Sequence, residues 1–266
     1  MKEKHDYITV HGTNIKLLIP DTYEPLDRPS LINKAMGTDA KVECAYMANS
    51  GNAFNIVWAF ALDPQNPQAL DNKQERINAI HEELGENQGL IEVKEGISSS
   101  GHKYVYSIVK NVGDVSKGSF GASYFLRLLI DDGASIVEVY GSFEEVGMTG
   151  TREALASILA EKAGLCHLSS KGMEGWSKDP YDPTYTRGVT KNLAEKEGLD
   201  GLFPGNPLSQ AREFLLAALE NKFVIEKQDN PSNNNEPKSK DYSEKEMLRS
   251  LFVDECRRYT YLVEAN

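Results

Sequence analysis

The stretch that most constrains the fold runs from Tyr140 to Glu153, where a strand pattern gives way to a helix pattern. Before it, Ala122 to Ile130 and Ser135 to Phe143 have the pattern of two β segments joined at Asp131-Asp132-Gly133. Asp and Gly tolerate a positive φ, so this junction predicts a tight hairpin. Thr151 to Ala163 predicts an amphipathic helix in a layer that covers the sheet. The apolar stripe of that helix consists of Leu155, Ile158 and Leu159.

The residues before this stretch predict further strands and one long helix. Apolar residues recur at helical spacing from Asp71 to Leu84, and Asp71 with Gln74 has the pattern of a capping box. A short helical turn is predicted from Leu31 to Met36. The remaining predicted strands are Tyr7–Val10, Asn14–Ile19, Lys41–Met47, Ala53–Leu62, Leu90–Ile97 and Tyr104–Val109.

This order of elements predicts an α+β fold, with an antiparallel β-sheet covered by helices over residues 1–165. Residues 166–227 form an irregular and helical extension, in which Asn206-Pro207 begins a helix. The extension has too few apolar positions for a core of its own, so we expect it to pack on the first domain. Residues 228–242 are rich in Asn, Pro, Ser and Lys and predict a flexible linker. Residues 243–266 predict an amphipathic C-terminal helix.

Composition argues against nucleic acid and membrane as partners. The formal net charge is −11, whereas a surface that follows a phosphate backbone needs clustered Lys and Arg. The same acidity disfavours an anionic membrane, and no apolar run approaches the ~20 residues that a membrane span requires. The cysteines Cys44, Cys166 and Cys256 lie far apart and in no metal-ligand spacing, which is typical of a reducing compartment. We therefore expect a cytoplasmic, bacterial protein.

Two segments resemble the PsbP family, named after the extrinsic photosystem II protein. Ile15-Lys-Leu-Leu-Ile-Pro-Asp-Thr-Tyr23 is similar to the early strand of that fold, which ends in Ile-Pro before an aromatic residue. Tyr140 to Glu153 is similar to its junction between the last strand and the last helix. A yeast Ran-binding import factor and type VI secretion effector-associated chaperones share this fold. The resemblance covers the first three fifths of the chain and implies binding to other proteins, with no functional residue carried over.

Three groups of residues are candidates for a catalytic or ligand-binding role by residue type. Glu144 and Glu145 are adjacent on a strand, so their side chains point to opposite faces and do not converge on one substrate. The loop from Gly147 to Thr151 opens a helix, where it either binds an anion or is capped by Thr149 or Thr151. Cys166-His167 has no motif that brings a nucleophile to a base. We therefore predict no catalytic residue, no metal site and no cofactor.

The segment from Trp176 to Arg187 contains the best binding candidates outside the C-terminus. Trp176, Tyr181, Tyr185 and Arg187 have the composition of an interface hot spot. The same aromatic residues also suit a structural role, since Trp and Tyr bury apolar area while a polar tip stays hydrogen-bonded. Packing is favoured over binding by roughly two to one, because most aromatic residues in the loops of folded chains are structural.

The predicted C-terminal helix is the other binding candidate. Its apolar stripe must pack against something, and three sites are open to it: its own chain, a second copy, or another protein. Docking on its own chain is favoured, because the linker keeps the local concentration high. The binding residues predicted on the stripe are Leu248, Leu251, Phe252 and Tyr259.

These patterns favour a protein-binding, adaptor-like or chaperone-like module without catalysis. Its expected partner is another protein or a second copy of itself. The alternative is a hydrolase whose site assembles around His167 and Arg187. A deep polar cleft at the junction of the sheet and the extension would favour the enzyme, whereas a broad apolar groove on the sheet face would favour the binding module.

Overall fold

A seven-stranded antiparallel sheet forms the centre of the structure, which is a computed structural model. The described residues are 7–26, 42, 44–50, 52–62, 70, 72–113 and 121–220. A short hairpin of β1 (Tyr7–Thr9) and β2 (Lys16–Leu18) precedes the sheet. The sheet strands are β3 (Glu24–Pro25), β4 (Cys44–Ser50), β5 (Ala53–Ala61), β6 (Gln88–Ile97), β7 (Lys103–Val112), β8 (Ala122–Asp131) and β9 (Ile136–Glu145). Their spatial order is β3-β4-β5-β9-β8-β7-β6.

The hairpin predicted between the last two strands is confirmed. β8 and β9 pair antiparallel from Ser123 opposite Glu144 to Asp131 opposite Ile136. Asp132 Oδ1 accepts hydrogen bonds from the backbone N–H of Ala134 and Ser135, and Gly133 has a φ of 86°. An L residue with a side chain rarely adopts that φ, which explains the glycine at the turn.

Helices cover both faces of the sheet. On one face, α1 (Lys73–Glu83) buries Ile77 and Ile80 against Leu90 and Val105. Its N-cap is Asn72, whose side chain accepts from the Glu75 N–H at 2.9 Å, so the predicted capping box at Asp71 and Gln74 is displaced by one residue. The architecture is α+β, as the sequence predicts.

A second helix comes from the C-terminal extension. In chain order, the last sheet strand, β9, is followed by α2 (Thr151–Lys162) and by the short hairpin of β10 (His167–Ser169) and β11 (Gly172–Glu174). Two 3₁₀ helices at Leu193–Glu195 and Glu197–Leu202 come next. The last described helix, α3 (Pro207–Glu220), packs on the sheet face opposite α1. Leu208, Phe214 and Leu215 bury there with Leu126 and Val139.

Three predicted elements lie outside the described residues: the turn at Leu31–Met36, the linker at 228–242 and the helix at 243–266. In the part of the chain that the structure does describe, no helix is both long and apolar enough to cross a membrane.

A loop from the extension runs along β6, the edge strand of the sheet. The Tyr181 hydroxyl accepts a hydrogen bond from the backbone N–H of Val93 and donates one to its carbonyl oxygen. The Val189 N–H donates to the Gln88 carbonyl at 3.1 Å. Gly89 lies directly against this loop, because a Cβ atom there would overlap with the Val189 carbonyl oxygen. The loop therefore needs a residue without a side chain at position 89.

The change Gly89→Ala should destabilise the protein by about 1–3 kcal/mol, the range for a methyl group forced into a filled space. Urea unfolding followed by circular dichroism would measure it. Gly85→Ala is the matched control, since a Cβ there has its nearest neighbour at 3.5 Å and its φ is not positive. The control should change the free energy of unfolding by less than about 0.5 kcal/mol. Equal effects of the two changes would contradict the close approach of the loop.

Candidate protein-binding surface

The helix α2 is held by a buried arginine in its first turn. Arg152 is 1% exposed, and its guanidinium has a hydrogen-bond partner on every nitrogen. Nε donates to the Ala194 carbonyl at 2.6 Å, and Nη1 donates to the Ser209 hydroxyl at 2.8 Å. Nη2 donates to the Lys196 carbonyl and forms an ion pair with Asp200 at 2.8 Å. These contacts offset the large free energy that an unpaired buried charge would cost.

Asp200 connects this anchor to a second buried arginine, Arg212 of α3. Arg212 Nη1 contacts both carboxylate oxygens of Asp200 at 3.1 Å, and its Nη2 lies 2.8 Å from Glu92 of β6. Arg212 also donates to the Glu195 carbonyl at 2.9 Å. The charged cluster therefore joins α2, the 3₁₀ helices and α3 to the sheet.

Glu195 extends the cluster to the next two strands. Its carboxylate lies 2.6 Å from Lys110 Nζ of β7 and accepts a hydrogen bond from the Tyr124 hydroxyl of β8 at 3.0 Å. Burial raises the pKa of Tyr124 well above its ordinary value, and the Glu195 charge adds to that effect. The phenol is therefore neutral and acts as a donor at physiological pH.

The orientation of α2 follows from this anchor. Ala156 and Ala160 lie one and two turns after Arg152 on the same face, and both are fully buried against Ala194. Side chains of this size allow the helix to approach the 3₁₀ helix at Leu193–Glu195 closely.

The apolar stripe predicted for α2 points away from the buried face that carries Arg152, Ala156 and Ala160. Leu155 is 45% exposed and Ile158 is 52% exposed, so a stripe facing the covered sheet is wrong. If the helix turned this stripe inward, the acceptors around Arg152 would lose their donor, and leucine would replace alanine at a close contact. Hydrogen bonding and packing space outweigh apolar periodicity here.

The N-terminus of α2 is capped by a carboxylate from the preceding strand. Glu145 accepts hydrogen bonds from the Gly150 N–H at 2.9 Å and the Ala122 N–H at 3.3 Å. Gly150 is the N-cap residue, with a φ of 73° and no side-chain cap, so capping by Thr149 or Thr151 is wrong. Glu145 supplies the negative charge that a bound anion would bring to such a loop.

Four large apolar side chains lie exposed around this helix, and we call them the α2 surface. Thr151 and Leu202 line the same cavity of about 230 Å³, which places Leu202 beside the first turn of α2. The Thr151 hydroxyl contacts the Met148 carbonyl at 3.5 Å at the same end. The α2 surface consists of Met148 (74% exposed), Leu155, Ile158 and Leu202 (54% exposed).

The aromatic residues predicted as binding candidates lie in two separate hydrophobic clusters. Trp176 is half-buried in the cluster under α2, with Ala156 and Ala160. Tyr181 and Tyr185 belong to the cluster under α1, where Tyr185 stacks on His81 with a ring separation of 4.2 Å. Arg187 is exposed. The other predicted binding residues, Leu248, Leu251, Phe252 and Tyr259, lie outside the described residues.

The residues of the alternative hydrolase site are not assembled. His167 is exposed on β10 and lies 3.5 Å from Glu174. Within the described residues, no hydrogen bond or ion pair joins His167 to Arg187, and no group of three His, Cys, Asp or Glu residues could hold a metal ion. The neighbouring Cys166 is buried, and that burial raises the pKa of its thiol, which lowers the thiolate fraction at neutral pH.

Comparison with known proteins shows weak likenesses to solved structures. The sequence matches no family model and no curated protein. PA94, a Pseudomonas aeruginosa protein of unknown function, aligns with 60% of this chain and 93% of its own, at 10% identity and a TM-score of 0.30. The Saccharomyces cerevisiae Ran-binding protein Mog1p aligns with 58% of this chain and 83% of its own, at 12% identity and a TM-score of 0.31. A mutant of Mog1 aligns with 58% and 84%, at 12% identity and a TM-score of 0.32.

Likenesses at these TM-scores carry no conclusion about function.

The change Arg152→Met should destabilise the protein by about 3–5 kcal/mol, because Asp200 would lose one of its two arginine partners and the Ala194 and Lys196 carbonyl groups would lose a buried donor. Urea unfolding would measure the loss. Arg187→Met makes the same chemical change at an exposed position and should alter the free energy of unfolding by less than about 0.5 kcal/mol. A loss below about 1 kcal/mol for Arg152→Met would contradict its role as the anchor of α2.

The cluster should also make stability depend on pH. Burial alone would raise the pKa of Glu92, but the Arg212 guanidinium and Lys94 lower it to about 2. The folded-state pKa is thus below the unfolded value of about 4.3, so Glu92 stabilises the fold above pH ~4.3 and loses that effect as the pH falls toward 2.

We expect the stability difference between wild type and Glu92→Gln to shrink by about 1–2 kcal/mol between pH 6 and pH 3. Urea unfolding at both pH values would measure it. Glu83→Gln, at an exposed position of α1, is the control and should stay near wild type at both pH values. A pH-independent difference for Glu92→Gln would contradict the ionised Glu92–Arg212 pair.

Proposed function

We propose that this protein is a protein-binding module whose α2 surface receives an amphipathic helix of a partner protein. The observation that supports it is the exposure of four large apolar side chains around one helix. Single exposed apolar residues are common on proteins, whereas Leu155 and Ile158 are two exposed apolar residues on one face of one helix. Leu155 and Ile158 are three residues apart on α2, a spacing that suits the packing of a second helix.

The buried anchor supports this proposal, because it fixes the helix that carries the surface. Arg152 bonds to the 3₁₀ segment and to α3, and Ala156 and Ala160 leave little space for α2 to shift. A surface that is already ordered loses less conformational entropy when a partner binds. The α2 surface therefore suits binding with little rearrangement.

Charge defines the kind of helix that would fit. On α2 itself, Glu161 and Lys162 are exposed in the last turn. The whole chain has a net charge of −11. A partner helix with an apolar stripe flanked by Lys or Arg would complement these charges and bind faster at low salt.

The test is a double change, Leu155→Glu with Ile158→Glu, in the full chain purified gently from the cells that normally make it. We expect native mass spectrometry to show a stoichiometric protein partner with wild type and at least a tenfold smaller bound fraction with the variant. Two carboxylates in an apolar contact would be desolvated without partners, which strongly opposes binding. Circular dichroism would check that the variant stays folded.

Leu168→Glu is the matched control, because Leu168 is 72% exposed and lies on the β10–β11 hairpin. The control should retain the partner. Two results would overturn the assignment of binding to the α2 surface. The double variant could retain as much partner as wild type, or the control could lose the partner as well.

A further inference from the structure

The cavity of about 230 Å³ beside the first turn of α2 combines an apolar wall with polar groups that the protein does not fully use. A cavity of about 150 Å³ accommodates benzene, so this one suits a ligand about as large as one amino-acid residue. Its charged and amide side chains include Glu145, Arg152 and Asn206. Its apolar wall consists of Leu202, Phe203 and Pro204.

Asn206 supplies this cavity with a hydrogen-bond donor that has no partner. The residue is 9% exposed, and its Oδ1 accepts from Arg152 Nη1 at 3.3 Å and from the Leu208 N–H at 3.1 Å. Two donors at this oxygen fix the orientation of the amide, so Nδ2 is the other branch. In the described part of the chain, no acceptor takes a hydrogen bond from Nδ2. A donor that is nine-tenths buried and lines a cavity therefore requires an acceptor from outside the chain.

The charges on the lining disfavour an anion. All five N–H donors of Arg152 are used by protein acceptors, and Asp200 neutralises its charge. An anionic ligand would find no free guanidinium donor here and would meet the carboxylate of Glu145.

Glu145 instead favours a cation. Its two oxygens accept from the Gly150 N–H at 2.9 Å and the Ala122 N–H at 3.3 Å, and each oxygen has a lone pair left. Among the described residues, no Lys, Arg or His forms an ion pair with it. The cavity therefore offers an uncompensated negative charge beside a free amide donor.

We propose that this cavity binds a protonated primary amine that also carries a carbonyl group and an apolar side chain. An amino-acid amide and the first residue of a peptide share this chemistry. The ammonium group donates to Glu145, the carbonyl oxygen accepts from Asn206 Nδ2, and the side chain packs on the apolar wall. A simple cation would leave Asn206 without a partner. This inference does not rest on the proposed function, which concerns the exposed face of α2.

Titration of the isotope-labelled full chain with L-leucinamide, followed by NMR, tests the binding. We expect saturable shifts of the amide signals of Gly150, Leu202 and Gly205, which lie at the cavity or next to Glu145. The dissociation constant should be on the order of 10 mM, as for other ligands of this size. N-acetyl-L-leucinamide keeps the side chain and the carbonyl but has no charge. It should bind at least about tenfold more weakly, because it forms no ion pair with Glu145.

A pair of variants tests the role of the carboxylate. Glu145→Gln keeps an oxygen acceptor for the first turn of α2 and removes the charge. It should bind L-leucinamide at least about tenfold more weakly and remove the preference over the acetylated ligand. Glu144→Gln is the matched control and should bind as wild type does, because Glu144 is exposed and its side chain points to the other face of β9. The comparison of the two ligands on wild type stands even if Glu145→Gln does not fold.

A longer ligand distinguishes the two sources of the amine. If L-leucyl-L-alaninamide binds at least as tightly as L-leucinamide, the cavity receives the N-terminus of a peptide chain. If it binds more weakly, the ligand is a free small amine. Both results support the shared chemistry.

Three results would overturn the proposal. The absence of a saturable shift up to about 50 mM, well above the affinity expected at this ligand size, would leave the cavity to water alone. Equal affinity of the free and the acetylated amide would exclude the ion pair. Equal losses in Glu145→Gln and Glu144→Gln would exclude the assigned carboxylate. The variant Leu155→Glu with Ile158→Glu should bind L-leucinamide as wild type does, so this inference and the proposed function can fail separately.

Discussion

The buried pair of Arg212 and Glu92 is the interaction on which the described arrangement of layers depends. It crosses from α3 to an edge strand, and through Asp200 it reaches Arg152 and therefore α2. A buried ion pair is weak evidence for added stability, because desolvation offsets much of the attraction, but removal of one partner is strongly unfavourable. In the described arrangement, the cluster gives each of these buried charges an oppositely charged partner on a different element.

The sheet could be predicted from the sequence because its signals are local. The Asp131-Asp132-Gly133 turn determines which strands pair, and the alternation along each strand determines which side chains face each layer. The two ends of α1 and the start of α3 at Pro207 also follow from short patterns. The N-cap of α1 is Asn72 rather than the predicted Asp71. Asp and Asn are both suitable N-cap residues, so the sequence alone does not decide between these two neighbours.

The orientation of α2 could not be predicted, because it depends on contacts between residues more than 40 positions apart. Apolar periodicity assigned the stripe with Leu155 and Ile158 to the covered side, whereas Arg152 finds its acceptors at Ala194, Lys196 and Asp200. One local signal did exist: Ala156 and Ala160 follow Arg152 at intervals of four residues, so small side chains lie on the same helix face as the arginine. Leu202 gave no signal, because only the fold brings it beside the first turn of α2.

The loop that lies along β6 has a consequence for how copies of this chain meet. Tyr181 and Val189 occupy the backbone groups of Val93 and Gln88 that an edge strand would otherwise offer to another strand. Sheet-to-sheet polymerisation, which begins by the addition of strands to such an edge, is thereby obstructed at these residues. A polypeptide that adds a strand at this place would first have to displace the loop.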